Sequence, residues 1–95
     1  MTNTTQNQKI YVTMTDQFLS GWGQADGTKA KYVYVCDNWQ QAENVKRNAE
    51  KRDDQTQINI SHSNPLYRYK RKGYHVRVIK PDNESYKQWY KKPAA

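Results

Sequence analysis

Apolar and polar residues alternate along several stretches of this chain and follow helical spacing along two others. Lys9 to Thr15 sets Ile10, Val12 and Met14 on one side and Tyr11, Thr13 and Thr15 on the other, the period of two of a half-buried strand. Lys31 to Cys36 is a run of Val and Tyr with apolar groups on both sides, which predicts a second strand, covered on both faces and central in its sheet. Asp37 or Asn38 then caps a helix, with Gln40 or Gln41 placed to reach back to the cap amide. Its buried stripe is Trp39, Ala42, Val45 and Ala49, and Glu43 and Arg47 form an i,i+4 pair on the wet side.

Gln57 to His62 predicts a third strand, burying Ile58, Ile60 and His62 and exposing Gln57, Asn59 and Ser61. Leu66 to Arg71 and Tyr74 to Lys80 alternate around Lys72-Gly73, where glycine can supply the positive φ of a two-residue hairpin turn. In that register Arg68 faces Arg77 and Lys70 faces His75. Asp82 caps a last short helix in which Tyr86, Trp89 and Tyr90 share a face before Pro93 stops it. Asp16 to Gly27 reads as a loop with one helical turn, its Phe18, Leu19 and Trp22 tucked onto the core.

These elements predict an α+β fold in two layers: a four- to five-stranded, mainly antiparallel sheet, one long helix packed across it and a short C-terminal helix. The second strand, the helix and the third strand suit a right-handed parallel crossover. Residues 1–8 are polar and read as a flexible tail, residues 9–92 as a single domain and residues 93–95 as a second tail. Ninety-five residues leave no room for two cores. Aliphatics are scarce, and 12 aromatics must join the 12 Ile, Leu and Val residues to fill one. No run is long enough to span a membrane, and residues 1–8 lack the basic and apolar regions of a signal peptide.

Charge changes the picture most. Through Asp54, seven Lys/Arg meet seven Asp/Glu; from Gln55 onward nine Lys/Arg meet only Asp82 and Glu84, so the net charge of +7 sits in the last 41 residues. One-sided basic charge attracts polyanions: nucleic acid, an acidic protein surface or anionic lipid. On the predicted hairpin Arg68, Lys70, His75 and Arg77 share a face, with Arg71 and Lys72 at the turn. A basic ribbon of this kind fits a nucleic-acid groove, and like charges facing one another cost stability unless an anion lies between them. The six residues are the candidate nucleic-acid or partner site, and Trp22, Tyr69 and Trp89 are the candidate aromatic anchors. The tyrosines beside these cations would suit stacking on unpaired bases. No zinc-finger, basic-zipper, helix-turn-helix or RNP pattern is present.

Catalytic signals are weak. Cys36 and His62 would need a shared geometry and a third group to act as a dyad, and a cysteine in a Tyr-Val strand is more often packing. Asp16, Asp26 and Asp37 sit where caps and turns explain them, and Gly21-Trp22-Gly23 lacks the Lys-Ser/Thr of a phosphate-binding loop. One cysteine permits no internal disulfide and leaves a zinc site short of ligands, which points to a reducing cytosol. No enzyme activity, metal or cofactor is expected.

The segments Lys9–Ala25, Tyr32–Val45 and Gln57–Ile60 resemble a small family of phage and mobile-element accessory proteins. The resemblance covers about two-thirds of the chain, and its specific part is Thr-Met-Thr-Asp-x-Phe-x-Ser-Gly-Trp-Gly, here Thr13 to Gly23. It implies a setting, the host bacterial cytoplasm during phage infection, and carries no catalytic roles onto these residues. The function expected from charge and resemblance together is a non-enzymatic inhibitor of a bacterial defence system, anti-CRISPR-like in character. Its basic face would occupy a nucleic-acid-binding or acidic surface of a defence protein or nucleoprotein complex. Two alternatives stand beside it: a stand-alone DNA- or RNA-binding phage protein, and a sponge for a small nucleotide signal in which Arg68 and Arg77 hold phosphate while Trp22 or a tyrosine stacks on the base. The Trp89 helix docks on its own sheet, on a second copy to give a homodimer, or on the target.

Overall fold

Val12 and Met14 on one strand, and Tyr32, Tyr34 and Cys36 on the next, converge on a shared core because the strands carrying them pair in register. In the computed structural model, which describes residues 9–17 and 27–93, β1 (Ile10–Asp16) and β2 (Ala30–Cys36) are followed by α1 (Trp39–Glu50), β3 (Gln55–Ser61), α2 (Leu66–Arg71), β4 (His75–Ile79) and a C-terminal 3₁₀ helix (Glu84–Tyr90). The sheet runs β3-β1-β2-β4. β1 is antiparallel to both neighbours, and β4 pairs with β2 in parallel. β2 is central, as its two-sided apolar run requires.

The sheet is thus mixed rather than mainly antiparallel, and no single long helix covers it. The twelve-residue α1, the six-residue α2 and the seven-residue 3₁₀ helix share that work. Register sets Ile10, Val12 and Met14 beside Cys36, Tyr34 and Tyr32 on one face, where Ala42, Val45 and Ala49 of α1 close over them. Each fully buried Val, Met or Ile there contributes about 1.5–3 kcal/mol relative to exposure. The opposite face carries Thr13, Thr15, Lys31 and Val33, which are buried too. β2, β3 and β4 all point the same way. The chain leaves β2 through α1 on the first face and returns from the β3 edge to the β4 edge through α2, whose Tyr69 lies against Lys31 on the second.

Asn38 caps α1: its Oδ1 accepts from the Gln41 amide at 2.9 Å, while Gln41 Oε1 accepts from the Asp37 amide at 2.8 Å. Trp39 is not part of the buried stripe. It occupies the first helical position, remains 49% exposed and stacks on His62, itself exposed rather than buried, at 6.1 Å. Asn44 takes the vacated place because its Nδ2 donates to the Tyr90 carbonyl at 3.0 Å. The i,i+4 ion pair on this helix joins Lys46 to Glu50 at 3.5 Å rather than Glu43 to Arg47.

The largest departure from expectation is the hairpin. Leu66–Arg71 is helical, and β4 takes its ladder from β2. Gly73 does adopt positive φ (79°), but as the residue that ends a helix. Its amide donates to Lys70 O at 3.0 Å and the Tyr74 amide donates to Tyr69 O at 3.2 Å, the paired bonds of a Schellman motif, and the Tyr69 and Tyr74 rings meet at 5.7 Å as that motif favours. Lys-Gly serves a hairpin turn and a helix end equally well, so local sequence does not decide between them. The helix also separates Arg68 from Arg77 and removes the repulsion a ribbon would impose. At the C-terminus Asn83, not Asp82, is the cap, its Oδ1 accepting from the Ser85 amide at 2.9 Å. Phe18, Leu19 and Trp22 lie outside the described residues.

Tyr34 is the largest fully buried side chain among the described residues. Trp89 stacks on it at 5.1 Å, and Tyr32, Tyr86 and Tyr90 meet it edge-on at 6.1–6.3 Å. Its hydroxyl, however, has no hydrogen-bond partner among the described residues. A buried hydroxyl without a partner costs about 1–3 kcal/mol. Tyr34→Phe is therefore expected to raise the urea midpoint by an amount equivalent to about 1 kcal/mol; a lowered midpoint would mean that the hydroxyl is satisfied.

Candidate anion-binding surface

Six residues separate the buried Pro65 from Lys72, and three of them are cations. Asn64 Oδ1 accepts from the Leu66 amide at 3.0 Å and the Tyr69 amide donates to Pro65 O at 2.9 Å, which starts α2. Leu66 and Tyr69, one turn apart, are half-buried, while Tyr67, Arg68, Lys70, Arg71 and Lys72 face solvent. Among the described residues, ion pairs join Lys9 to Asp37, Lys46 to Glu50, Arg52 to Asp54 and Lys87 to Glu84; none reaches α2. The α2 cations lie instead over tyrosine rings, Arg68 over Tyr69 at 6.0 Å, Arg71 over Tyr67 at 5.6 Å and Lys72 over Tyr74 at 6.0 Å. Cations in the last turn complement the α2 carbonyl end, so part of this charge stabilises the helix itself.

Beneath the helix lies a residue that sequence reasoning missed. Lys31 is 8% exposed. Its Nζ donates to Thr15 Oγ1 at 2.6 Å and to Gln57 Oε1 at 3.2 Å, while the Tyr74 and Tyr69 rings stand 5.1 and 5.5 Å away. Gln57 reaches it from a bulge in β3, where its φ is 54° and the register with β1 slips between Thr13 and Thr15. Burial first, then Lys29 and Lys72, hold the Lys31 ammonium below its ordinary pKa. The signal was a lysine in the alternation with Val33 and Val35 on a strand already expected to be covered on both faces. Tyr67, 73% exposed, is the most exposed large apolar side chain described.

The remaining candidates separate. Arg68, Lys70, Arg71 and Lys72 are together on α2 and its cap. His75 opens β4, half-buried, with its amide donating to Lys29 O at 3.0 Å. Arg77 pairs with Tyr32 on the α1 face and donates from Nη1 to Tyr86 Oη at 3.1 Å. Arg68 and Arg77 therefore lie on opposite faces of the sheet and cannot close on one phosphate, which removes the two-arginine clamp of the nucleotide-sponge alternative. Tyr69 is occupied by Lys31 and Tyr74. Trp89 packs on Tyr34, with the Arg52 guanidinium 5.2 Å over its ring. Trp22 lies outside the described residues.

Cys36 is fully buried, and burial pushes its thiol up to about 12, leaving it protonated at neutral pH. His62 is stacked on Trp39 in solvent, and no hydrogen bond joins the two. Among the described residues no group of three or more His, Cys, Asp or Glu converges as a metal site, and no helix is long and apolar enough to cross a membrane. The chain matches no protein-family model, no curated protein and no solved structure.

Proposed function

We propose that this chain is a non-enzymatic binding protein that uses α2 to occupy a phosphate-rich or acidic surface, and that in an infected bacterium this surface belongs to a host defence protein or nucleoprotein complex. The observation that carries the binding is the exposed cluster of Arg68, Lys70, Arg71 and Lys72, without a carboxylate partner among the described residues. Such a cluster raises the local concentration of anions and accelerates encounter with them. Arginine adds planar, bidentate recognition of phosphate and carboxylate. The defence setting is supported by the resemblance of Thr13–Gly23 to phage accessory proteins. A second reading, direct binding of single-stranded DNA or RNA, is favoured by the exposed Tyr67 ring beside Arg71, a stacking platform next to a charge.

Affinity purification from bacterial lysate, with and without nuclease, tests both. Capture of a defence protein that survives nuclease, is lost in the Arg68→Ala, Lys70→Ala, Arg71→Ala triple variant and accompanies protection of phage supports the first reading. Capture of nucleic acid alone supports the second. No partner under either condition, with no protection of phage, would overturn both.

A further inference from the structure

β3 is an edge of the sheet, paired with β1 on one side only. From Ile58 to Ser61 it carries no lysine, proline or bulge, the devices that ordinarily discourage an edge from pairing; its bulge lies before this stretch, at Gln57. Beside it, a groove of about 450 Å³ runs between β3 and α1 over Ile58, Ile60 and Trp39. Its α1 wall presents Glu43, Lys46, Arg47 and Glu50, two acids and two bases, a neutral row in a chain of net charge +7. Lys46 and Glu50 satisfy each other, whereas Glu43 and Arg47, one turn apart, have no ion pair among the described residues.

We propose that the chain forms a two-fold dimer by antiparallel pairing of its β3 edges, with a second copy of this chain as the occupant of the groove. Charge complementarity selects that occupant. A polyanion is not favoured by a neutral row, and the basic stretch from Gln55 onward repels its counterpart on a second copy. The row, in contrast, is complementary to itself: a two-fold axis sets Glu43 against Arg47 of the second copy and Arg47 against its Glu43, the reciprocal contact of an isologous interface. Antiparallel edge pairing requires an axis perpendicular to the sheet, which keeps each face on its own side. Both α1 helices then meet across the axis, and the unpaired backbone groups of Ile58–Ser61 complete each other in a continuous eight-stranded sheet. The two α2 patches fall at the outer β4 ends of the other face, about seven strand spacings or roughly 34 Å apart. The dimer does not depend on the anion-binding reading, although it would make that surface bivalent.

The test is mass in solution by sedimentation equilibrium across micromolar to sub-millimolar concentrations. The expected result is a dimer. Glu43→Arg and Arg47→Glu, each of which sets like charges together twice, are expected to weaken it about tenfold or more, and the double exchange to restore it to within about threefold. Both side chains reach solvent, so at concentrations low enough for the parent chain to be monomeric the melting curves of all three variants should match its own. A monomer throughout the range, a dimer indifferent to the single reversals, or singles and double equally impaired would each overturn the proposal, as would a monomeric chain that accepts a foreign strand at β3.

Discussion

Truncation after Asn83 is expected to abolish cooperative folding. The deleted segment supplies Tyr86, Trp89 and Tyr90, which together enclose Tyr34. Tyr90 Oη also lies 2.9 Å from Val35 O and 3.0 Å from Ile79 O, tying the ends of β2 and β4 together. From α1, Asn44 Nδ2 donates to Tyr90 O at 3.0 Å, and Asn48 Nδ2 donates to Trp89 O and Lys91 O, both at 2.9 Å. Removing a single buried aromatic costs about 3–5 kcal/mol, and a small domain has only about 5–15 kcal/mol in total, so losing three aromatics and their anchoring bonds exceeds what the rest can offset. Trp89→Ala alone, half-buried, should cost about 3 kcal/mol. Circular dichroism in a urea series checks both. A truncated chain that still melts cooperatively would mean that the helix serves an interface rather than the core.

Alkaline pH is expected to unfold the domain steeply. Burial is the first cause holding Tyr32, Tyr34 and Tyr90 neutral, with Tyr32 raised to about 12 and the other two raised further. A phenol whose folded pKa is raised contributes stability that is whole below its unfolded value, near 10, and is lost as pH rises above it. Cys36, also raised to about 12, begins the same loss from its ordinary value of 9.0. Lys31 runs the other way: its lowered pKa is a penalty at neutral pH that lifts as the ammonium deprotonates, and the gain is complete by its unfolded value, near 10.5. The net expectation is stability that falls from about pH 9 and then, above pH 10, at up to about 1.4 kcal/mol per pH unit for each buried phenol. Urea midpoints between pH 8 and 11 check this, with Tyr34→Phe expected to flatten the fall. A urea midpoint unchanged across this range would contradict it.

Most of the sheet was legible because its chemistry is local. The alternation of Ile10, Val12 and Met14, the two-sided run through Val33 and Val35 and the cap at Asn38 each act within a few residues. The region after Asn64 was not legible for the opposite reason. Leu-Tyr-Arg-Tyr-Lys-Arg alternates like a strand but also sets Leu66 and Tyr69 one helical turn apart, and Lys72-Gly73 ends a helix as readily as it turns a hairpin. What decides is distant: β4 finds its ladder on β2, so the preceding segment is released to cross the second face. The site inherits the same split. Arg68, Lys70, Arg71 and Lys72 stay together because they are contiguous, while His75 and Arg77 leave because strand register governs them. Lys31 escaped notice because its partners, Thr15, Gln57, Tyr69 and Tyr74, come from four other segments, and a β3 bulge that no local pattern announced delivers one of them.

The central claim is that α2 is an anion-binding surface, and the salt dependence of binding tests it most directly. Each phosphate contact releases condensed counterions, so the logarithm of affinity for a single strand falls with the logarithm of salt at about 0.7 per contact. Fluorescence titration of an unstructured single-stranded DNA across a salt series is the measurement, with polyglutamate as the acidic-protein surrogate. The account predicts a steep slope for the parent chain and, for the Arg68→Ala, Lys70→Ala, Arg71→Ala variant, a slope shallower by about 2 units with cooperative melting retained. Binding to neither polyanion, or a slope the triple variant leaves untouched, would contradict it.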